Sequence, residues 1–267
     1  MNSDKVPEQF ADVRTHVPFL ARHEGVARVL ERLLCYPEIR KAFADSAQEK
    51  NPFAGVAMRL GLEIRMEELS AKVPKTGPVV VVANHGFGGS DALALLALMC
   101  DLRSDFRVLA NREVMLLEGI APAIFPVTLL STGETKENTR SLRAMLKHVK
   151  QGGGLGVFPA GKVAFWQGDR MKDPPWNDHV IKLIQRMDAT IIPLWFYGSP
   201  PPVINFLSRL SPFVRRALIP TGLAKMKGRE IVARAGEPVS GKELRAMGEE
   251  AGPWFRLRLE GLSELGN

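Results

Sequence analysis

The segment that most limits how this chain can fold is Val79 to Asp91, which reads Val-Val-Val-Val-Ala-Asn-His-Gly-Phe-Gly-Gly-Ser-Asp. Four consecutive valines after Gly77-Pro78 are β-branched and wholly apolar, the pattern of a strand buried on both faces of a sheet. The pattern predicts a strand ending at Ala83, with Asn84 and His85 emerging from its carboxyl end into a glycine-rich loop. The apolar-periodic segment Ala92 to Met99 predicts a helix directly beyond, with Ser90 or Asp91 as its N-cap. In open α/β sheets, ligands bind in the crevice outside the carboxyl ends of the strands. The chemistry-bearing residues of this segment therefore fall where such a sheet keeps its site.

His85 and Asp91 are the leading pair. A neutral imidazole can take a proton from a hydroxyl, and a carboxylate on its other nitrogen fixes the tautomer and stabilises the imidazolium that forms. On one continuous helix the two residues would lie about 240° apart, at about 100° per residue, so the loop must bend to bring them together. Gly86, Gly88 and Gly89 allow that bend, because glycine reaches positive φ without steric cost. The same residues also fit a plainer arrangement, in which Asp91 only caps the helix and His85 is a polar residue at a strand end.

Composition bounds the rest. A chain of 267 residues that is 45% hydrophobic fits one large domain. Lys plus Arg number 36 against 29 Asp plus Glu, a net charge of +7, which favours acidic partners such as an anionic membrane surface or an acidic carrier protein. Nucleic acid is not an expected partner: aromatics are 7%, and no helix-turn-helix, zinc-ligand spacing or aromatic RNA-binding motif stands in the sequence. No apolar stretch approaches the roughly 20 residues that cross a bilayer, and the first residues lack the basic start and apolar core of a signal peptide. The expectation is a cytoplasmic protein, peripheral at the inner face of the membrane. Cys35 and Cys100 stand far apart in apolar helical contexts, which predicts reduced, buried thiols.

Residues 1–55 predict a helical N-terminal arm. Val26, Val29, Leu30, Leu33 and Leu34 form one apolar stripe on it; the stripe is expected to pack on the sheet, with a membrane-lying face as the alternative, and Pro52 is expected to close the arm. Residues 56–267 predict a single α/β unit. Leu62 to Met66 reads as an edge strand, Phe106 to Ala110 and Ile124 to Thr128 as further strands, and Asn138 to Lys150 as an amphipathic helix with Leu142, Met145, Leu146 and Val149 inward. Leu155 to Phe158 and Ile231 to Ala235 are the next strands, and Gly241 to Leu262 a terminal helix interrupted at Gly252-Pro253. From Ala189 to Arg229 there is no Asp or Glu. That stretch carries Arg209, Arg215, Arg216, Lys225, Lys227 and Arg229 among large apolar residues, a composition suited to an anionic membrane interface; the alternative is a solvated helix packed on the body.

Gly156-x4-Gly161-Lys162-Val163 nearly spells a phosphate-binding loop. Val163 stands where the magnesium-holding Ser or Thr belongs, and Phe158-Pro159-Ala160 between the glycines cannot form the flexible amide nest, so nucleotide hydrolysis is not expected.

Asn84 to Asp91 resembles the first motif of the lysophospholipid (glycerolipid) acyltransferase superfamily, His-x4-Asp. Here the spacing is His-x5-Asp, with Ser90 in the usual Asp place as a possible partner for His85. It is similar to the variant His-Pro-Phe-Gly-x-x-Asp/Glu of bacterial members often labelled hemolysin-like, with Gly86 in place of the proline. Phe158-Pro159-Ala160-Gly161 resembles the third motif, Phe-Pro-Glu-Gly, in the Phe-Pro-Ala-Gly form of the same branch, and Ile191-Ile192-Pro193-Leu194 is similar to the superfamily's apolar strand with an embedded proline. No clear match to the second motif stands in the chain, and Arg112 is its nearest candidate, against the alternative of a solvated or ion-paired surface residue. The resemblance runs over about residues 60 to 240.

The resemblance implies an α/β fold, a mostly parallel sheet wrapped by helices, and O-acyl transfer from an acyl thioester, on acyl carrier protein or coenzyme A, to a hydroxyl of a lyso-lipid. A thioester needs neither metal nor enzyme nucleophile if a base activates the acceptor, so no metal site and no bound cofactor are expected beside that co-substrate. It implies His85 as base with Asp91, donors for the oxyanion among the amides of Gly86, Gly88 and Gly89, and acceptor contacts from Phe158, Pro159, Gly161 and Lys162. In the resembled family an Arg after Phe-Pro-Glu-Gly-Thr is thought to hold the glycerol phosphate. Here Val163 follows Lys162, so a single lysine charge replaces a two-pronged guanidinium, and an amino-acid-headed lyso-lipid is the expected acceptor. A non-catalytic lipid-binding protein on the same fold is the alternative.

Overall fold

The computed structural model describes residue 14 and residues 22–128, 136–167, 170–207, 214 and 217–266. Val79–Ala83 forms strand β2, and all five of its residues are buried. Its side chains alternate between two cores: Val79, Val81 and Ala83 join one, Val80 and Val82 the other. A strand covered on both faces has no position for a polar residue, and this accounts for the unbroken valine run.

Before β2 come α1 (Glu24–Leu33), α2 (Tyr36–Ser46), α3 (Pro52–Arg59), β1 (Glu63–Glu67) and α4 (Leu69–Lys72). After it come α5 (Gly89–Leu102), β3 (Arg107–Asn111), β4 (Ile124–Val127), α6 (Lys136–Lys150) and β5 (Gly154–Val157). A two-stranded antiparallel hairpin, β6 (Phe165–Gln167) and β7 (Arg170–Lys172), precedes α7 (Asp178–Gln185) and β8 (Thr190–Tyr197). The remaining described elements are α8 (Pro202–Leu207), α9 (Ile219–Ala224), β9 (Glu230–Ala235), β10 (Val239–Ser240), α10 (Gly241–Ala246) and α11 (Ala251–Gly261).

The main sheet runs β1-β9-β8-β2-β5-β3-β4, with β10 added beside β8. The pairs β8-β2, β2-β5, β5-β3 and β3-β4 are parallel; β9 lies antiparallel to β8 and parallel to β1. A mostly parallel sheet wrapped by helices is thus the architecture, and five strands present their carboxyl ends on one rim. Helices α2, α3, α5 and α9 share the core on one face, while α6, α7, α10 and α11 share the core on the other. At the opposite rim, the buried Arg103 guanidinium donates to the carbonyls of Pro74, Gly77 and Gly152 and pairs with Asp105, tying the loops that feed the strands.

Several local expectations need correction. The helix after β2 begins at Gly89, and neither Ser90 nor Asp91 caps it: Gly88 holds the cap position with φ 73° and no side-chain cap bond. Asp91 lies inside the first turn because its carboxylate is used elsewhere, as described below. Pro52 does not close the arm but opens α3, where Asn51 caps by accepting from the Ala54 N–H; α3 crosses the expected boundary at residue 55. The terminal helix breaks at Met247 to Glu250, and Pro253 sits in the first turn of α11, where a missing N–H costs nothing.

The apolar stripe of α1 packs only in part: Leu30 and Leu34 lie against the core that covers one face of the sheet, and the other three members do not. Val26, Val29 and Leu33 are 52%, 58% and 69% exposed. The helix instead buries Ala27 and Glu31, because Glu31 pairs with Arg40 of α2 at 2.9 Å and Thr221 of α9 donates to the Leu34 carbonyl; these anchors turn the large apolar residues outward. Nor is Ala189 to Arg229 one surface. Its first part is β8, in the middle of the sheet, and Pro220 to Leu223 are buried in α9. Arg209, Arg215 and Arg216 lie outside the described residues.

Candidate active site

The carboxyl ends of β2, β5 and β8 lie side by side, and the loops leaving them build the site. Asn84 follows β2 and clamps that loop to β8: its amide nitrogen donates to the Phe196 carbonyl at 3.0 Å, and its amide oxygen accepts from the Phe196 N–H at 2.7 Å. The side chain thereby continues the ladder where the backbone leaves it. His85 follows directly. The sharp turn beyond it uses only one of the three glycines in positive φ, Gly88, and a side chain there would meet the methyls of Val163 at 3.3 Å.

That turn returns the chain so that His85 Nδ1 lies 3.0 and 3.1 Å from the two Asp91 carboxylate oxygens. Asp91 is fully buried and also accepts from the Phe87 N–H at 3.0 Å and the Ala92 N–H at 2.7 Å. Among the described residues the buried Ser90 hydroxyl has no hydrogen-bond partner, His85 included. The His85 side chain is 17% exposed, and among the described residues its Nε2 has no hydrogen-bond partner. With Nδ1 held by a carboxylate acceptor, the neutral ring carries its proton on Nδ1 and leaves Nε2 as the free base.

The loop after β5 covers this ring. The Phe158 ring stacks on the imidazole with centroids 4.4 Å apart. Gly161 is left-handed, with φ 62°, and donates its N–H to the Phe158 carbonyl at 2.9 Å, so that amide is not available to a substrate. Two residues after Lys162, the Ala164 N–H donates to the His85 carbonyl at 2.8 Å, joining the two loops, and the buried Pro159 accepts from the Asn177 N–H at 3.0 Å. Lys162 is exposed. Arg112 directly follows β3 and pairs with Glu137 at 3.2 Å. Among the described residues, no cluster of His, Cys, Asp or Glu is arranged to hold a metal ion.

One participant was missed in the sequence. Both carboxylate oxygens of Asp173, on the loop after β7, accept the His85 main-chain N–H, at 3.1 and 3.3 Å. Its separation of 88 residues from His85 hides the contact; the only local signal is its place before Pro174-Pro175, which stiffens the backbone that presents it. Burial, opposed by the His85 N–H and the His85 charge, raises the Asp173 carboxyl above its ordinary value, and the nearby Asp91 adds to the rise. For His85, burial disfavours the charged ring, but the charge and hydrogen bond of Asp91, with Asp173 adding, outweigh it and raise the pKa above its ordinary value. Phe158, Asp91 and Asp173 thus surround a ring whose conjugate acid is stabilised from two sides.

An imidazole held against a buried carboxylate thus stands at the carboxyl rim of a mostly parallel sheet, where open α/β sheets bind their ligands. The chain belongs to the acyltransferase family, whose profile matches residues 16–252. Two curated relatives are named lyso-glycine lipid O-acyltransferase. That of Phocaeicola vulgatus is 30% identical over 147 residues, 51% of this chain and 51% of the relative; that of Bacteroides thetaiotaomicron is 32% identical over 148 residues, 51% of this chain and 52% of the relative. The chain spans about half the length of the curated relatives it matches. The crystal structure of the 1-acyl-sn-glycerophosphate (LPA) acyltransferase PlsC from Thermotoga maritima matches over 95% of this chain and 94% of that one, with a TM-score of 0.52 at 19% identity. That likeness speaks to the fold.

Removing either carboxylate charge should lower the His85 pKa. In Asp91→Asn and in Asp173→Asn the His85 Cε1–H, followed by NMR, is expected to titrate at lower pH than in the wild type, with the larger displacement in Asp91→Asn. An unmoved titration in both would show that neither charge acts on the ring.

Proposed function

We propose that the protein is a lyso-lipid O-acyltransferase in which His85 is the general base. The acceptor hydroxyl lies against Nε2, which takes its proton as the hydroxyl oxygen bonds to the thioester carbonyl carbon. Asp91 holds the imidazolium that results. The carbonyl electron pair moves onto oxygen, where amides at the start of α5 face developing negative charge at a helix N-terminus; the Phe87 N–H is occupied by Asp91 and does not contribute. Collapse breaks the carbon–sulfur bond, and the departing sulfur takes the proton back from Nε2, leaving ester, thiol and neutral His85. The observation that carries this reading is the His85–Asp91 pair, which occupies Nδ1 and leaves Nε2 without a partner among the described residues.

For the acceptor, the names of the two curated relatives favour a lyso-lipid with an amino-acid head group that is acylated on oxygen. Exposed Lys162 supplies a point charge suited to that head group's carboxylate, without the bidentate grip a guanidinium gives to phosphate. Such acceptors reside in membranes. No described helix is long and apolar enough to cross one, and the outward stripe Val26, Val29 and Leu33 on α1 suits a peripheral contact. Tyr36 of α2 donates to the Ala217 carbonyl, and Thr221 to that of Leu34, so the stripe neighbours the acid-free stretch that carries Arg209, Arg215 and Arg216 in sequence.

Two measurements test this. His85→Ala should remain folded and consume acyl thioester at least about 100-fold more slowly than wild type at saturating acceptor, the scale of losing a general base; wild-type turnover in that variant would remove His85 from catalysis, and a wild-type protein that consumes no thioester would leave a lipid-binding role instead. Val29→Asp with Leu33→Asp should reduce sedimentation with anionic vesicles, and Arg209, Arg215 and Arg216 changed to Glu should do so in a salt-sensitive way, since screening shrinks from about 10 Å at 0.1 M to about 3 Å at 1 M. Vesicle binding indifferent to both sets of changes would contradict the membrane contact.

A further inference from the structure

Along α6, Lys136, Arg140, Arg143 and Lys147 recur at the spacing of one helical face. All four are exposed, while Ser141, Met145 and Val149 face the core. Lys136, Thr139, Arg140 and Arg143 line a shallow cavity of about 390 Å³. The helix has one carboxylate, Glu137, and Arg112 holds it. No described carboxylate forms an ion pair with any of the four cations. Like charges at this spacing repel one another, and the positive end of the helix dipole adds to the same sign, so among the described residues the face keeps its positive charge.

Its position relates it to His85. Asn138, in the first turn of α6, accepts from the Thr128 N–H at 2.8 Å and donates to the Thr128 carbonyl at 3.1 Å. Thr128 directly follows β4, so the cationic end of α6 stands at the same carboxyl rim as His85. Only β5 and β3 separate β2 from β4, and three strand spacings of about 4.8 Å make roughly 15 Å along the sheet.

We propose that this face of α6 docks the acidic surface of an acyl carrier protein, whose long, flexible thioester arm then runs along the rim to His85. The inference rests on the acyltransferase reading above and names its donor. The extent of the charge favours a protein over a nucleotide: Lys136 to Lys147 covers about 16 Å at about 1.5 Å per residue, whereas the phosphates of coenzyme A would fill the cavity and leave Lys147 unused. The surroundings favour a protein over a membrane, because α6 carries none of the exposed large apolar residues and packs on the sheet face opposite to that of α1 and α2.

The test compares transfer from an acyl carrier protein thioester and from the matching coenzyme A thioester to one acceptor, in wild type and in Arg140→Glu/Arg143→Glu. The KM for the carrier thioester should rise about tenfold or more and lose its salt dependence, while kcat and the KM for the coenzyme A thioester change less than about twofold. Arg140→Gln/Arg143→Gln, which adds no opposing charge, should shift the carrier KM in the same direction by less, and thermal unfolding of both variants should match wild type. An unchanged carrier KM, an equal rise for both donors, or a wild type that uses coenzyme A thioester but not the carrier overturns the docking site and leaves the acyltransferase reading standing. A wild type that uses neither donor overturns both.

Discussion

The arrangement at the rim depends on one buried carboxylate. Asp91 is shielded from water and accepts hydrogen bonds from His85 Nδ1 and the main-chain N–H groups of Phe87 and Ala92. A buried carboxylate without partners costs several kcal/mol, so this group holds its three donors in place. Fixing Phe87 fixes the turn, fixing Ala92 fixes the start of α5, and fixing Nδ1 leaves Nε2 as the ring's uncommitted nitrogen. The loop after β5 then closes against a ring whose position is already determined, through the Phe158 stack and the Ala164–His85 bond. Asp173 completes the frame from a third loop, holding the His85 main chain rather than its ring.

The valine strand explains why this frame can be rigid. A strand buried on both faces cannot shift register without moving its side chains into the wrong core, and β2 is flanked by parallel partners on each side. The two faces of the sheet also lead to different surfaces. One bears the helical arm with Val26, Val29 and Leu33 exposed; the other bears α6 with its row of exposed cations. A lipid acceptor arriving beside the first and a carrier thioester beside the second would meet at the rim between them.

Much of the fold was legible because it obeys simple periodicities. The all-apolar runs at 79–83 and 191–194 and the amphipathic pattern of 138–150 each have one low-energy solution, and β2, β8 and α6 adopt it. The His85–Asp91 meeting was legible in outline from the glycines between them, although only Gly88 takes the left-handed conformation. What was not legible depends on partners distant in sequence. The outward rotation of α1 follows from Glu31 meeting Arg40 and Leu34 meeting Thr221, contacts that outweigh a strong local stripe. Asp173 and the Asn84–Phe196 clamp follow from the order of strands, which no local pattern encodes. The hairpin of β6 and β7 was missed because three-residue strands carry too little periodicity to register.

The central claim is that the acceptor hydroxyl is activated by His85 Nε2. A crystal structure of the enzyme with a lyso-aminolipid and a non-transferable acyl thioester analogue tests it most directly. The prediction is a hydroxyl oxygen within about 2.6–3.2 Å of Nε2, with the analogue's carbonyl carbon on the far side of that oxygen. An acceptor hydroxyl bound away from Nε2, with another side chain as its hydrogen-bond partner, would contradict it.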